Sequence, residues 1–228
     1  MVTLIVTSMS ESVKRTYAST LRAEQARATR RAIVDAAARL FVEHGYGGTT
    51  VDAIAEQAGV SRKTVFTSVG GKLEALKLAR DWAIVGDDEP IPMLERPAIK
   101  AAYGEKDARK VLAGYAQNYV ESAGRVAPIQ HAIEAAKGLD EEVRALSDEG
   151  WAQRRFGMGK LAEQLGNLAA FRDGLTVEIA GDVLWYYNDP ETYYKFVIKR
   201  GWPVERFQTW LYETLLQQLI RPDYPVAR

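Results

Sequence analysis

One run constrains this chain more than any other: Thr49 to Lys72, TTVDAIAEQAGVSRKTVFTSVGGK. Val51, Ile54, Ala55 and Ala58 recur at three- and four-residue spacing, which gathers them on one face of a helix. Thr50, or Thr49, stands where a hydroxyl can accept a hydrogen bond from a first-turn N–H. Gly59 can take the left-handed conformation in which helices commonly end, and Val60 then fills the corner. Ser61 is placed to cap a second short helix, on which Val65 and Val69 point inward. Lys63 and Thr67 lie opposite, with Arg62, Thr64 and Phe66 beside them. A short helix, a glycine corner and a second helix with basic, hydroxyl and aromatic groups outward make a helix-turn-helix.

The flanks complete a small helical unit. Arg22 to His44 favours one long helix with Ile33, Ala36, Ala37, Leu40 and Phe41 as its buried stripe. Arg27, Arg30 and Arg31 gather to one side of that stripe, either as a solvated charged face or as a face toward phosphates. Gly45 ends this helix, His44 complements the dipole of its last turn, and Tyr46 folds back on the core. Gly70-Gly71 breaks the chain again, and Lys72 opens a fourth helix with Leu73, Leu76 and Ala79 inward and Trp82 near its end. A cation at a helix N-terminus is unfavourable, and a phosphate oxygen there would resolve the conflict. The GGK run lacks the spaced glycine and the following Ser or Thr of a P-loop. Residues 1–21, with Lys14 and Arg15, read as a flexible basic arm.

Charge supports a nucleic-acid partner only when its distribution is considered. The chain as a whole is neutral, with 30 Lys and Arg against 30 Asp and Glu. Up to Gly86 the balance is 12 against 8, and beyond it 18 against 22. A basic head on an acidic remainder is the asymmetry expected of a DNA-binding unit fused to a regulatory one. Cys is absent, which removes disulfides, zinc-thiolate sites and thiol nucleophiles. The absence of Cys fits a reducing cytoplasm, the expected location, and no apolar run is long enough to span a membrane, so no membrane partner is expected. MVTLIVTSM lacks a basic n-region and makes a poor signal peptide; a disordered start, or translation from Met9, is expected instead.

The run RRAIVDAAARLFVEHGYGGTTVDAIAEQAGVSRKTVFTSVGGKLEAL resembles the DNA-binding domain of TetR-family transcriptional regulators. The resemblance covers Arg27 to Trp82, and helix, glycine-tyrosine turn, paired threonines, AGVS corner and distal lysine stand in the usual order. Ser68 stands where His or Tyr is frequent in that family, and Val69 where Phe is frequent. The resemblance implies a homodimer that binds a palindromic operator in double-stranded DNA and answers to a small-molecule effector. Base contacts are expected from Arg62, Lys63, Thr64, Phe66 and Thr67. Phosphate contacts are expected from Arg27, Arg31, Thr50, Ser68 and Lys72.

Gly86 to Pro97, GDDEPIPMLERP, is acidic and proline-rich and marks the boundary, giving a head over 22–84 and a body over 85–228. The body reads as helical throughout, so the fold class is all-α. Asp107 caps a helix bearing Leu112, Tyr115, Ala116 and Tyr119, and a separate helix runs through Pro128, Ile129 and Ile133 to about Lys137. Further helices span Asp140 to Gly166 and Thr176 to Tyr187. Asp189-Pro190 restarts a short one, and Gly201-Trp202-Pro203 precedes the last, with Phe207, Trp210, Leu211, Leu215 and Leu219. Tyr115, Tyr119, Trp151, Phe156 and Trp185 supply either core or the lining of an effector cavity, with His131 and Asn188 as polar candidates. The resemblance implies that helices 176–187 and 203–220 form the dimer contact, and their wide apolar faces call either for that partner or for packing within the chain. With two His, no metal spacing and no nucleophile motif, no catalytic, metal or cofactor site is expected. The competing classes are a helical protein-interaction module and an all-α enzyme.

Overall fold

A computed structural model describes the backbone of residues 3–225 and the side chains of residues 20–225. Ten α-helices follow one another among the described residues: α1 Thr3–Gly48, α2 Val51–Ala58, α3 Arg62–Val69, α4 Lys72–Val85, α5 Pro97–Gly104, α6 Ala108–Ala136, α7 Glu141–Asn167, α8 Val177–Tyr187, α9 Pro190–Tyr193 and α10 Val204–Leu219. One isolated antiparallel bridge, Phe171 to Ile220, is the only extended pairing described. The fold is all-α. The chain divides into two compact units, Met1–Ala79 and Arg80–Arg228. The division falls inside α4, a few residues before the expected boundary at residue 84.

In the first unit α1 is interrupted at Gly45, where φ is 70° and ψ 172°, the break expected there. The helix expected to start at Arg22 is continuous back to Thr3. The basic residues of the expected arm, Lys14 and Arg15, fall outside the described side chains. Past the break, Tyr46 turns inward to 7% exposure and its ring stacks on Phe41 at 5.8 Å. The Thr49 hydroxyl donates to the Gly45 carbonyl at 2.8 Å, which closes the turn before α2. Ile33, Ala36, Ala37 and Phe41 of α1, Ile54 of α2, Val65 of α3, and Ala75 and Leu76 of α4 are fully buried. Each large apolar side chain so buried contributes about 1.5–3 kcal/mol. The inward face of each short helix is thus the one its spacing indicates.

In the second unit α6 and α7 are the long members. Asp107 caps α6 by accepting from the Arg109 N–H at 2.8 Å, and Asp140 caps α7 by accepting from Val143 at 3.0 Å. Thr176 and Asp189 cap α8 and α9 in the same way. The separate helix expected through Pro128 does not exist as such. α6 runs unbroken from Ala108 to Ala136 with Pro128 inside it. Ala123, Val126, Ala127, Ile129 and Ile133 are buried on both sides of the proline, and this continuous stripe outweighs the one hydrogen bond that Pro cannot donate.

Three elements go beyond the expected helices, the first a single 3-10 turn over Met93–Glu95. α5 starts at Pro97, its first residue, where proline is favoured, although the same proline closes the acidic, proline-rich run expected to be a linker. A π-helical turn over Tyr194–Lys199 follows α9. α10 lays Phe207, Leu211, Leu215 and Leu219 wholly into the unit's own core. That stripe is therefore satisfied within the chain, whereas α8 leaves Val177, Ile179 and Tyr186 at 42%, 49% and 67% exposure.

Candidate nucleic-acid face and ligand cavity

The local chemistry of 49–72 takes the form its residues dictate. Thr50 accepts from the Ala53 N–H at 3.1 Å and caps α2. Gly59 ends that helix in the left-handed region, φ 67°, and the Val60 N–H returns to the Ala55 carbonyl at 2.9 Å. A side chain at Gly59 would be strained by that φ. Ser61 caps α3 by accepting from Thr64 at 3.1 Å. With Val65 and Val69 turned in, Arg62, Lys63, Phe66 and Thr67 are exposed together, Phe66 at 45%. Thr64 and Ser68 are half-buried at the edge of this face.

The face is not electrostatically blank. α3 has no acidic residue in its first turn, so the positive end of the helix dipole adds to Lys63 and Arg62. Arg62 is held by an ion pair to Asp52 of α2, and its guanidinium lies 5.6 Å from the Phe66 ring centre. To reach a base edge it must exchange an exposed carboxylate, an exposed pair of the kind worth only about 0–1 kcal/mol. Lys72 does not wait for a phosphate at the α4 N-terminus. Its Nζ donates to the Tyr46 carbonyl at 3.1 Å and lies 3.9 Å over the Tyr46 ring. Thr50, Arg27 and Arg31 are exposed.

The second unit contains a cavity of about 580 Å³, within the range of small-molecule sites. Its walls come from Arg80 and Ile84 of α4, the Pro92–Leu94 segment, and Ile99 and Tyr103 of α5. Tyr115, Asn118, Tyr119, Val126 and Gln130 of α6 face Trp151, Arg154, Phe156 and Met158 of α7, with Asn188 and Pro190 closing the ring. α5 can lie against α6 because position 114 is glycine: a Cβ there would sit 2.8 Å from that of Ala102.

Polar groups of the lining are largely engaged with one another. Asn188 donates to the Tyr115 hydroxyl at 2.9 Å, and the Tyr119 hydroxyl donates to the Asp189 carbonyl at 2.9 Å. Burial pushes the Tyr103 phenol up to about 12 and those of Tyr115 and Tyr119 well above the ordinary phenol range, because an ionised phenolate would lose its hydration there. Arg80, 2% exposed, donates to the Leu146 carbonyl at 2.8 Å and to Asp81 through Nε and Nη2.

Five of the seven residues expected at a ligand site line the cavity: Tyr115, Tyr119, Trp151, Phe156 and Asn188. Trp151 and Phe156 keep 41% and 63% exposure while lining it. His131 stands away from the lining, its ring stacked on Tyr194 at 3.9 Å and its Nδ1 3.1 Å from Glu191. Trp185 also stands back, edge-on to Trp151 at 5.9 Å. Arg80, Tyr103 and Arg154 went unrecognised in the sequence. Arg80 did leave a signal, since it lies seven residues after Leu73 and four after Leu76, a charge set into an apolar stripe. Among the described residues no group of three or more His, Cys, Asp or Glu could hold a metal, and no helix is long and apolar enough to cross a membrane.

Comparison with known proteins points the same way as the geometry. Residues 33–74 match the family model described as bacterial regulatory proteins, tetR family. A 55-residue stretch, 24% of this chain, is 46% identical to the uncharacterized HTH-type transcriptional regulator TtgW of Pseudomonas putida and spans 41% of that protein's length. Among solved structures, NalD, the secondary repressor of the MexAB-OprM multidrug efflux pump in Pseudomonas aeruginosa, superposes with a TM-score of 0.62 at 22% identity, over 85% of this chain and 97% of that one. SmeT of Stenotrophomonas maltophilia in complex with triclosan superposes with a TM-score of 0.62 at 20% identity, over 87% and 95%. The sequence match is confined to the head, and the structural likeness extends the shared fold to the body.

Proposed function

We propose that this chain, which carries the DNA-binding head of the bacterial tetR-family regulators, is a cytoplasmic transcriptional repressor that holds a palindromic operator as a homodimer and releases it when a small molecule fills the body cavity. The observation that carries the reading is the pairing, in one chain, of an exposed basic-aromatic α3 face with a separate, ligand-sized cavity. Regulators rather than enzymes are what the matching proteins are.

α3 would enter the major groove, with Lys63 and Arg62 donating to guanine edges and Phe66 and Thr67 meeting thymine methyl groups. Arg27, Arg31, Thr50, Ser68 and Lys72 would hold phosphates and fix register. Lys72 would do so by leaving the Tyr46 carbonyl or by sharing its three donors. Homodimer contacts would run through 176–187 and 203–220. The exposed Val177, Ile179 and Tyr186 of α8 support the first segment. Val204, exposed on α10 at 37%, and half-buried Trp210 and Leu216 are what remains for the second. Two-fold symmetry then places the two α3 helices about one helical turn, or a multiple, apart.

Release requires that the effector bind one dimer conformation better than the other, since equal affinity for both shifts nothing. That SmeT, which shares this fold, forms a complex with triclosan, and that NalD is a repressor, support this direction of control. Selection of binding sites from random duplex DNA with the purified chain tests the reading. A two-fold-symmetric consensus is expected, and enrichment of nothing beyond salt-sensitive nonspecific binding would overturn it in favour of a protein-binding module.

A further inference from the structure

The body cavity is one-sided in charge. Its only ionisable cations are Arg80 and Arg154, and no Asp or Glu is among its lining residues. Arg80 is satisfied, with every guanidinium nitrogen donating to Leu146 or Asp81. Arg154 is not. Its Nη1 reaches one oxygen of Asp189 at 3.1 Å, and that same oxygen also accepts the Glu191 N–H at 3.2 Å to cap α9. Its Nε is buried and has no partner. The Arg154 side chain is 11% exposed while that of Asp189 is 40% exposed, so the cation is drier than the carboxylate that answers it. A guanidinium has five N–H donors, and burying a charge with incomplete compensation is costly. A ligand acceptor would relieve that cost.

The Trp185 ring centre lies 5.7 Å from the Arg154 guanidinium, and the cavity lining supplies further aromatic and apolar side chains: Tyr103, Tyr115, Trp151, Phe156 and Met158. These suit a flat, unsaturated skeleton. We infer that the cavity takes aromatic acids, the ring system held among these side chains and the carboxylate drawn to the Arg154 guanidinium. The inference rests on the cavity being the effector site proposed above. A cationic aromatic of the same shape would find two guanidiniums and no lining carboxylate, and a neutral one would leave Arg154 as it is. Forked donation from Arg to a carboxylate is the geometry that lysine cannot reproduce.

Titration calorimetry of the full chain with naphthoate, naphthamide and naphthylmethylammonium near neutral pH tests this. Naphthoate is expected to bind at least about tenfold tighter than either of the others, the scale of one charge-assisted hydrogen-bonded pair. Arg154→Met should abolish that preference while leaving naphthamide within about twofold of its wild-type affinity. Arg154→Lys, which keeps the charge without the fork, should retain a weaker preference, and it serves if the methionine variant does not fold. Equal binding of acid and amide, tighter binding of the ammonium, survival of the preference in Arg154→Met, or binding of none of the three would each overturn the inference. DNA release is a separate readout on the selected duplex. If naphthoate binds as expected and DNA stays bound, control by this cavity fails and the ligand class stands; if the affinity order fails, head and operator are untouched.

Discussion

The head and the body carry their chemistry in opposite ways. The head's candidate face is one side of a single eight-residue helix, and what presents it lies close by in sequence: a Ser61 cap, a left-handed Gly59, and two valines inward. The body's cavity gathers short runs of residues from position 80 to position 190, contributed by several helices that lie far apart in sequence. A face is made by local spacing, while a hollow is made by how far apart long helices are held. The first therefore depends on caps and turns, the second on packing and on which polar groups find partners.

Four changes would break or sharpen that contrast. Ile54→Ala removes a fully buried side chain from the head core and is expected to cost about 3 kcal/mol. Hydrogen exchange should then speed in α1, α2 and α3 and remain slow in α6 and α7. Loss of protection in both would mean that the two units fold as one.

Ser61→Ala removes the α3 cap and should cost about 1 kcal/mol, read as a lower melting temperature together with weaker specific DNA binding. Lys72→Met should weaken binding to every duplex several-fold and lower the salt slope by about one, if Lys72 reaches a phosphate. An unchanged slope would restrict Lys72 to its internal bond with Tyr46. The smallest effect is expected at high pH. Burial pushes the Tyr103 phenol from an ordinary 10.0 up to about 12. Folded protein therefore keeps that proton when unfolded chain has lost it, and stability falls as pH rises from about 10 toward 12. Tyr103→Phe should flatten part of that fall by a few degrees in melting temperature, roughly; a fall of undiminished depth would place its cause elsewhere.

How much could be read in advance follows the same division. Caps at Thr50, Ser61 and Asp107 were legible because a hydroxyl or carboxylate before an apolar repeat has one local use. Val65 and Val69 were legible for the same reason. Pro128 misled because its missing N–H is a local fact, while the buried stripe that carries α6 past it is a tertiary one. Pro97 misled in reverse, since a proline that ends a linker and one that opens a helix look alike. Tyr115 and Tyr119 could be named as core or cavity residues from aromatic content together with the family resemblance. Arg154 could not, because nothing in its neighbours indicates that α7 turns it inward and leaves one nitrogen without an acceptor.

The central claim is that the outward face of α3 reads DNA sequence. Its direct test is to titrate the selected duplex and a scrambled one with wild-type chain and with the Lys63→Ala, Thr67→Ala double variant. Both side chains are exposed, so the fold is expected to be unaffected. The account predicts a loss of about a hundredfold on the selected duplex, with scrambled-duplex affinity changed only several-fold. Undiminished affinity of the double variant for the selected duplex would contradict it.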